Sequence, residues 1–148
     1  MLSKSLIIFI GVGIVTALTL GIYLNDVKNT DQLIFVEGNS ISVVTEKFNF
    51  KKGEEMKLQI INSGTTLLVF SDATYGLKIT GLAGILMYSP TAAQVISELE
   101  PGDEIIFSWD QNKNDGSPIL EGHYKISVSG TDKEGNVVKR STIITIWK

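Results

Sequence analysis

LEPGDEIIFSWDQNKNDGSPILEGHYKISV, residues 99–128, is the segment around which the rest of the chain is organised. Two runs within it place every second residue on one apolar face. The first run contributes Ile105, Phe107 and Trp109, and the second contributes Tyr124, Ile126 and Val128. A period of two is typical of half-buried antiparallel strands. The stretch therefore predicts a strand, a polar loop and a second strand.

Strand signals recur on both sides of this stretch. Residues 55–62 give the clearest one, because Met56, Leu58 and Ile60 alternate with polar residues. Residues 40–50 alternate with a change of parity, which fits a β-bulge or two short strands. Further strands are predicted at residues 33–36, 67–70, 75–80, 84–88, 90–98 and 136–148. The last of them follows a turn containing Gly-Asn, so a hairpin is expected at the C-terminus.

Seven or more short strands, with no convincing helix after residue 24, define the fold class. They predict an all-β domain over residues 33–148, folded as an antiparallel immunoglobulin-like β-sandwich. We expect Trp109 in the core of that sandwich. Tyr124 follows a glycine at the start of a strand, so its hydroxyl is expected to cap the loop before it.

Residues 5–24, SLIIFIGVGIVTALTLGIYL, carry no charge over twenty positions. A helix of that length is about 30 Å long, which matches the thickness of a bilayer core. Lys4 precedes the stretch and Asp26 follows it, so the positive-inside rule favours an extracytoplasmic C-terminal domain. We therefore predict a single-pass transmembrane helix (a signal anchor) in the cell membrane, with a cytoplasmic stub at residues 1–4 and a linker at residues 25–32.

Two alternatives to the anchor stay open, a cleaved signal peptide and a buried globular helix. A cleaved peptide normally has an apolar core of about 7–15 residues, followed by a cleavage site of small residues. The stretch at residues 5–24 is longer than that, and no clear small-x-small site follows it. The uncleaved anchor is therefore the favoured interpretation.

Charge and cysteine content limit the classes of function. Beyond the predicted span the chain has 12 Lys and Arg against 16 Asp and Glu, which is a formal charge of −4. Binding to nucleic acid needs clustered basic surface, so no nucleic-acid partner is expected. The chain has no cysteine, which excludes disulfides, thiolate metal ligands and a cysteine nucleophile.

Several motifs follow one another in an order that a known family shares. They are an Asn at a strand end, a strand ending in Phe-Ser, a Pro-Gly-acid turn before a strand ending in Trp, and a Gly-x-Tyr strand. The positions that carry them are Asn62, Phe70, Ser71, Pro101, Gly102, Trp109, Gly122 and Tyr124. From about residue 57 to residue 128 the chain thus resembles the BsuPI-type intracellular proteinase inhibitor domain. The resemblance implies an immunoglobulin-like sandwich and proteinase inhibition, although Glu121 stands where that family usually has proline.

Residues 110–121, DQNKNDGSPILE, combine oxygen-bearing side chains with turn formers. Oxygens at steps one, three, five and twelve are similar to an EF-hand calcium loop. The glycine, however, falls at step seven rather than six, and the flanking strands replace the helices that such a loop joins. A polar hairpin is therefore predicted and no metal ligand is assigned, while weak calcium binding by this loop stays an open alternative. Residues 108–128 as a whole are also similar to FlgD-type immunoglobulin-like repeats.

No catalytic set emerges from the sequence. His123 is the only histidine, and its place on the outward face of a strand favours a solvated side chain. The acidic pairs at residues 54–55 and 103–104 place neighbouring carboxylates on opposite strand faces, so they cannot share a proton. We predict no enzymatic activity, no cofactor and no small-molecule substrate.

The last strand poses a question of its own, because residues 143–147, IITIW, are more apolar than an edge strand should be. A central strand is the favoured interpretation. An edge that pairs with a partner is the alternative.

These observations predict a binding module at the membrane. The domain is held there by its N-terminal helix and binds a protein partner or a component of the cell envelope. The predicted contact is the exposed loop, through Asp110, Asn112, Asn114 and Asp115. Two alternatives stay open: a proteinase inhibitor, and a stator or minor subunit of an envelope filament, similar in layout to archaellum stator proteins.

Overall fold

Ten β-strands, and no helix, make up the part of the chain that the structure describes. The computed structural model describes residues 32–148, so the predicted stub, the predicted transmembrane helix and residues 25–31 of the linker lie outside the described residues. Gln32–Lys148 forms a compact unit, and none of its segments is a helix long and apolar enough to cross a membrane. The strands are β1 (Ile41–Thr45), β2 (Asn49–Lys51), β3 (Met56–Asn62), β4 (Leu68–Phe70), β5 (Lys78–Gly81), β6 (Leu86–Tyr88), β7 (Ser97–Leu99), β8 (Glu104–Trp109), β9 (Gly122–Thr131) and β10 (Val137–Trp147).

The strands form two sheets. The first has the order β1-β3-β8, and the second has the order β2-β10-β9-β4-β7, with β5 paired to β9 and β6 paired to β5. Within the described residues every strand pair is antiparallel except β2 and β10, which run parallel at residues 49–51 and 145–147. The predicted all-β fold with sandwich-like sheets is confirmed. A wholly antiparallel arrangement is wrong, because β2 reaches the edge of β10 after the chain has crossed between the sheets.

The two sheets share one hydrophobic core, built from alternate side chains of their strands. The apolar faces predicted for β3, β8 and β9 point into it. Trp109 ends β8, is 1% exposed, and stacks on Tyr88 of the second sheet with ring centroids 5.8 Å apart. The buried apolar residues of the core are Ile41, Val43, Phe50, Met56, Leu58, Ile60, Leu68, Phe70, Leu77, Ile79, Leu99, Trp109, Ile119, Tyr124, Ile126, Val128, Ile144 and Ile146.

The two strands of residues 99–128 belong to different sheets. β8 pairs with β3 in the first sheet, whereas β9 pairs with β10 and β5 in the second. β8 and β9 are therefore not paired with each other, and the segment between them crosses from one sheet to the other. Within that segment the predicted polar hairpin is formed, with an antiparallel bridge between Asn112 and Pro118. The strands themselves were predictable because burial of one face imposes a period of two on each strand, whichever strand it pairs with.

The start of the domain differs from the prediction in one respect. Residues 33–36 form no strand: Ile34 and Phe35 are exposed, although the Val36 N–H donates a hydrogen bond of 2.9 Å to the Ser63 carbonyl. Residues 40–50 form two short strands in different sheets, which is one of the two alternatives that the change of parity predicted.

Gln32, the last residue of the predicted linker, is buried. Its Nε2 donates to Thr45 Oγ1 at 3.0 Å and to Thr142 Oγ1 at 3.2 Å. Thr45 belongs to the first sheet and Thr142 to the second. The side chain therefore joins the neighbouring edges of the two sheets.

The C-terminal hairpin is formed as predicted, with β9 and β10 paired along residues 122–131 and 137–146. β10 has strand partners on both sides only at residues 145–146, where β2 joins it. Among the described strands, residues 137–144 pair with β9 alone, and Trp147 pairs with β2 alone. Within residues 143–147, only residues 145–146 are thus central.

Gly130 of β9 lies directly against the core, and a Cβ atom there would come within 2.5 Å of the Phe70 ring. We expect Gly130→Ala to lower the free energy of unfolding by about 1–3 kcal/mol, because the buried ring has to move. Gly81→Ala is the matched control, since its Cβ would lie 3.4 Å from the flexible end of Met87. Urea unfolding of both variants makes the comparison. Equal losses of stability would contradict this packing.

Candidate functional site

The crossing loop, residues 110–121, is held in place by hydrogen bonds of the buried Gln111 side chain. This residue is buried and has a φ of 61°, a region that non-glycine residues rarely adopt. Its Oε1 accepts a hydrogen bond from the Gly53 N–H, and its Nε2 donates to the Lys51 carbonyl, both at 2.9 Å. The turn between β2 and β3 therefore fixes the first residues of the loop.

Two asparagines tie the crossing loop to the strands around it. The Asn114 N–H donates to the Met87 carbonyl at 3.1 Å, and Asn114 Oδ1 accepts from the Ser89 N–H at 3.0 Å. The Asn112 carbonyl accepts from Trp109 Nε1 at 2.8 Å. Since Met87 lies in β6 and Trp109 ends β8, the loop is bonded to both sheets.

The two aspartates of the loop cap its internal turns. Asp110 accepts from the Asn112 N–H at 3.0 Å and from Asn112 Nδ2 at 2.8 Å. Asp115 Oδ1 accepts from the Ser117 hydroxyl at 2.6 Å and from the Ser117 N–H at 2.8 Å. The hydrogen bond from the Ser117 hydroxyl is the main cause that holds the pKa of the Asp115 carboxyl below its ordinary value, and the bond from the Ser117 N–H is the next.

The end of the loop is anchored by apolar burial and by the predicted tyrosine contact. Ile119 is buried in the core, and its N–H donates to the Gln111 carbonyl at 3.0 Å. The Tyr124 hydroxyl donates to the Leu120 carbonyl at 2.7 Å. The expectation that Tyr124 caps the preceding loop is confirmed.

A polar groove of about 530 Å³ runs beside the crossing loop. Asp110, Asn112 and Asn114 line it, together with Glu55, Tyr88, Ser89, Thr91, Ser108, Lys113 and Gly116. The structure thus brings three of the four predicted contact residues to one groove. Asp115 is exposed near the tip of the loop and does not line the groove.

The chemistry of this site is that of hydrogen bonding and charge. Within residues 32–148, no three His, Asp or Glu side chains come together in a group that could hold a metal ion. Both loop carboxylates are engaged by donors of the loop itself. His123 lies on the outer face of β9, where its Nδ1 is 3.0 Å from Thr145 Oγ1.

A second polar cluster surrounds Asp132, in the turn between β9 and β10. Asp132 is 8% exposed, and its carboxylate accepts from Asn136 Nδ2 at 2.7 Å and from Asn39 Nδ2 at 2.5 Å. The Asn136 side chain is the main cause that lowers the pKa of Asp132 below its ordinary value of 3.8. Because the folded carboxyl holds its proton less tightly, this cluster stabilises the fold above that pH and loses its effect on acidification. It lines a groove of about 500 Å³ with Gly38, Thr66, Leu67, Lys133 and Glu134.

Sequence reasoning missed the residues that make these sites rigid. Gln111 looks like any polar loop residue, and its partner Gly53 is 58 positions away. Asn39 and Asp132 are 93 positions apart. Contacts between such distant positions leave no local signal, whereas the aspartate-capped turns were readable from the Asp-x-Asn and Asp-x-Ser spacing.

Comparisons with known proteins give no family. No protein-family model and no curated protein matches the chain. Among solved structures the chain is similar to the sulfur carrier protein SoxY from Chlorobium limicola f thiosulfatophilum, with a TM-score of 0.46 and 13% identity over 84% of this chain and 96% of that chain. It is also similar to Spo0M, a sporulation control protein from Bacillus subtilis, with a TM-score of 0.42 and 14% identity over 75% of this chain and 50% of that chain. At this distance neither likeness carries an argument about function.

The contribution of Gln111 can be separated from the strain at its backbone. Asparagine tolerates a positive φ better than most residues, but its shorter side chain cannot reach both partners in the turn between β2 and β3. We therefore expect Gln111→Asn to lower the free energy of unfolding by about 1–3 kcal/mol, since it leaves buried polar groups without partners. Hydrogen exchange at the Gly53 amide should accelerate in the same variant.

Gln94→Asn is the matched control for this experiment. Gln94 is exposed and lies outside the crossing loop, so Gln94→Asn makes the same chemical change at a different position. Urea unfolding and amide exchange of the two variants are compared under identical conditions. If Gln111→Asn behaves like Gln94→Asn, Gln111 does not hold the loop.

Proposed function

We propose that this chain is a membrane-anchored, extracytoplasmic immunoglobulin-like domain that binds a protein partner or a component of the cell envelope through its crossing loop. The observation that carries the proposal is the fixed conformation of that loop. Oxygen atoms of Gln111, Asn112 and Asn114 accept hydrogen bonds that tie the loop to the turn between β2 and β3, to Trp109 and to Ser89 after β6.

A loop that is already ordered is well suited to binding. Association costs free energy for every flexible segment that has to be immobilised, and a preorganised surface avoids much of that cost. The side chains of Asp110, Asn114 and Asp115 are exposed while the backbone behind them is bonded. They present carboxylate and amide groups, which suit polar and cationic groups on a partner.

The anchor in this proposal comes from the sequence. Residues 5–24 supply an uncharged stretch long enough for a bilayer core. The described residues begin with Gln32, which is buried, and seven residues lie between the end of that stretch and Gln32. Proteinase inhibition and filament support use the same kind of exposed loop and stay predictions from the sequence.

The test is site-specific photo-crosslinking in intact cells of the native host. A photoreactive amino acid is placed at Asp115, which lies near the tip of the crossing loop, and in a second strain at Lys57. Lys57 is also exposed, but it lies on the outer face of the first sheet. We expect an adduct of discrete mass that survives denaturation from the Asp115 position and none from the Lys57 position.

Two outcomes would contradict the proposal. The same adducts from both positions would show unspecific proximity rather than a contact of the loop. The absence of an adduct from the Asp115 position would show that the loop is not the contact surface. This comparison requires that the Asp115 and Lys57 variants are made in equal amounts.

A further inference from the structure

The outer face of β2, β5, β9 and β10, called the basic face below, carries four lysines, one histidine and no acidic residue. Its side chains are the positions that point away from the core on each strand. The basic members are Lys51, Lys78, Lys125, Lys139 and His123.

Strand pairing places these lysines on one continuous surface. Lys51 of β2 lies opposite Trp147 of β10, and Lys125 of β9 lies opposite Ile143 of β10. Lys125 also has Thr80 of β5 as its partner on the other side. Neighbours directly across two strands have Cβ atoms about 4.5–5.5 Å apart, so the charges and apolar groups alternate within reach of one another.

The charge of this face is opposite to that of the domain. Gln32–Lys148 contains eleven Lys and Arg against fourteen Asp and Glu, a formal charge of −3. Its acidic residues lie largely in turns, in loops and on strands outside the basic face. Within the described residues the ion pair joins Lys47 to Glu54, so none of the four lysines of the basic face is neutralised by one.

Large apolar side chains stand between these lysines. Ile143 is 54% exposed and Trp147 is 51% exposed. Tryptophan is enriched at membrane–water interfaces because its ring has an apolar body and a polar N–H. Lysine stems can lie along apolar surface while the ammonium groups remain in water. A surface of this composition suits the headgroup region of a bilayer better than it suits bulk water.

The part of the basic face around Lys78 and Lys139 forms a groove of about 670 Å³. Lys78 and Lys139 line it from different strands, with Ser127 and Ser129 between them. The two ammonium groups can bind the phosphate of a lipid headgroup, whereas Ser127 is buried and its hydroxyl donates to the Lys78 carbonyl at 3.5 Å. Asp72 also lines the groove, and hydrogen bonds from the Thr74 hydroxyl and N–H keep its carboxylate ionised, so it offsets part of the positive charge of Lys78 there.

We infer that the basic face docks on the anionic lipid headgroups of the membrane, which holds the domain flat against the bilayer. The occupant follows from charge complementarity and from chain length, and it rests on the anchor of the proposed function. Seven residues separate the predicted span from Gln32, and a chain of that length reaches at most about 25 Å. The domain cannot leave the neighbourhood of the lipid surface, so a weak surface attraction is sufficient.

The test uses the full chain in vesicles and reads the fluorescence of Trp147. One set of vesicles is phosphatidylcholine, and the other contains about one third phosphatidylglycerol, so that the surface is strongly anionic. Both contain a phospholipid with a spin-label quencher in its headgroup. Trp109, the other tryptophan of the chain, is buried in the core. The variant Trp147→Phe gives the emission of Trp109 alone, which is subtracted from the emission of the full chain.

Trp147 emission should be quenched in the anionic vesicles at low salt and recover at high salt, which screens surface charge. Lys125→Gln combined with Lys139→Gln should lower the ratio of docked to undocked domain roughly 25-fold, since each lysine near an anionic surface counts about fivefold. Lys57→Gln combined with Lys133→Gln removes the same charge from exposed positions elsewhere. That pair should leave the quenching unchanged.

The outcomes separate this inference from the proposed anchor. A chain that resists alkaline carbonate extraction but shows no quenching in anionic vesicles overturns the inference and leaves an acidic protein as the partner that the face fits. Equal loss of quenching in the two lysine pairs also overturns it, because only net charge would matter. If carbonate extracts the chain but Trp147 is quenched at low salt, the lipid-binding face is supported and the proposed anchor is contradicted.

Discussion

The burial of Trp109 between the two sheets is the contact on which the rest of this structure depends. The residue ends β8 of the first sheet, stacks on Tyr88 of the second sheet, and donates its indole N–H to the Asn112 carbonyl. One side chain thus packs the sheets together and sets the first turn of the crossing loop. Burying an aromatic ring of this size contributes several kcal/mol, and a buried indole N–H needs a hydrogen-bond partner. The loop conformation therefore follows from the core.

Much of the fold could be predicted from local sequence, and the reason is visible at individual strands. Met56, Leu58 and Ile60 alternate in the sequence because β3 buries one face, and the same holds for β8 and β9. Pairing was harder to predict, since a period of two says nothing about the neighbouring strand. The parallel pairing of β2 with β10 joins residues almost a hundred positions apart, and residues 33–36 are apolar without forming a strand.

The candidate site was predictable only in part. The exposed polar loop was predictable from its composition, and Asp110, Asn112 and Asn114 line one groove, but the residues that support the loop left no local signal. Gln111 reaches a turn 58 positions earlier, and the lysines of the basic face come from four strands spread over the chain. Only the register of the second sheet brings them together. Long-range pairing therefore creates surfaces that composition alone conceals, here a basic face on an acidic domain.

The crossing loop and the basic face are suited to two different kinds of contact. The crossing loop presents carboxylates and amides in a fixed arrangement, which suits a partner with polar or basic groups. The basic face presents ammonium groups and apolar rings, which suits a negatively charged interface. The two surfaces adjoin, because Asn114 of the crossing loop also lines the groove of the basic face. In the proposed arrangement the domain lies on lipid through the basic face and presents the rigid loop beside it.

The proposed function requires that the domain is anchored in the membrane and lies outside the cytoplasm. Its most direct test is the protease accessibility of a C-terminal tag in intact spheroplasts, with carbonate extraction of the membranes alongside. We expect the tag to stay with the membrane after extraction and to be digested from outside. A tag that is protected until the spheroplasts are lysed would contradict the proposed function and would place the domain in the cytoplasm.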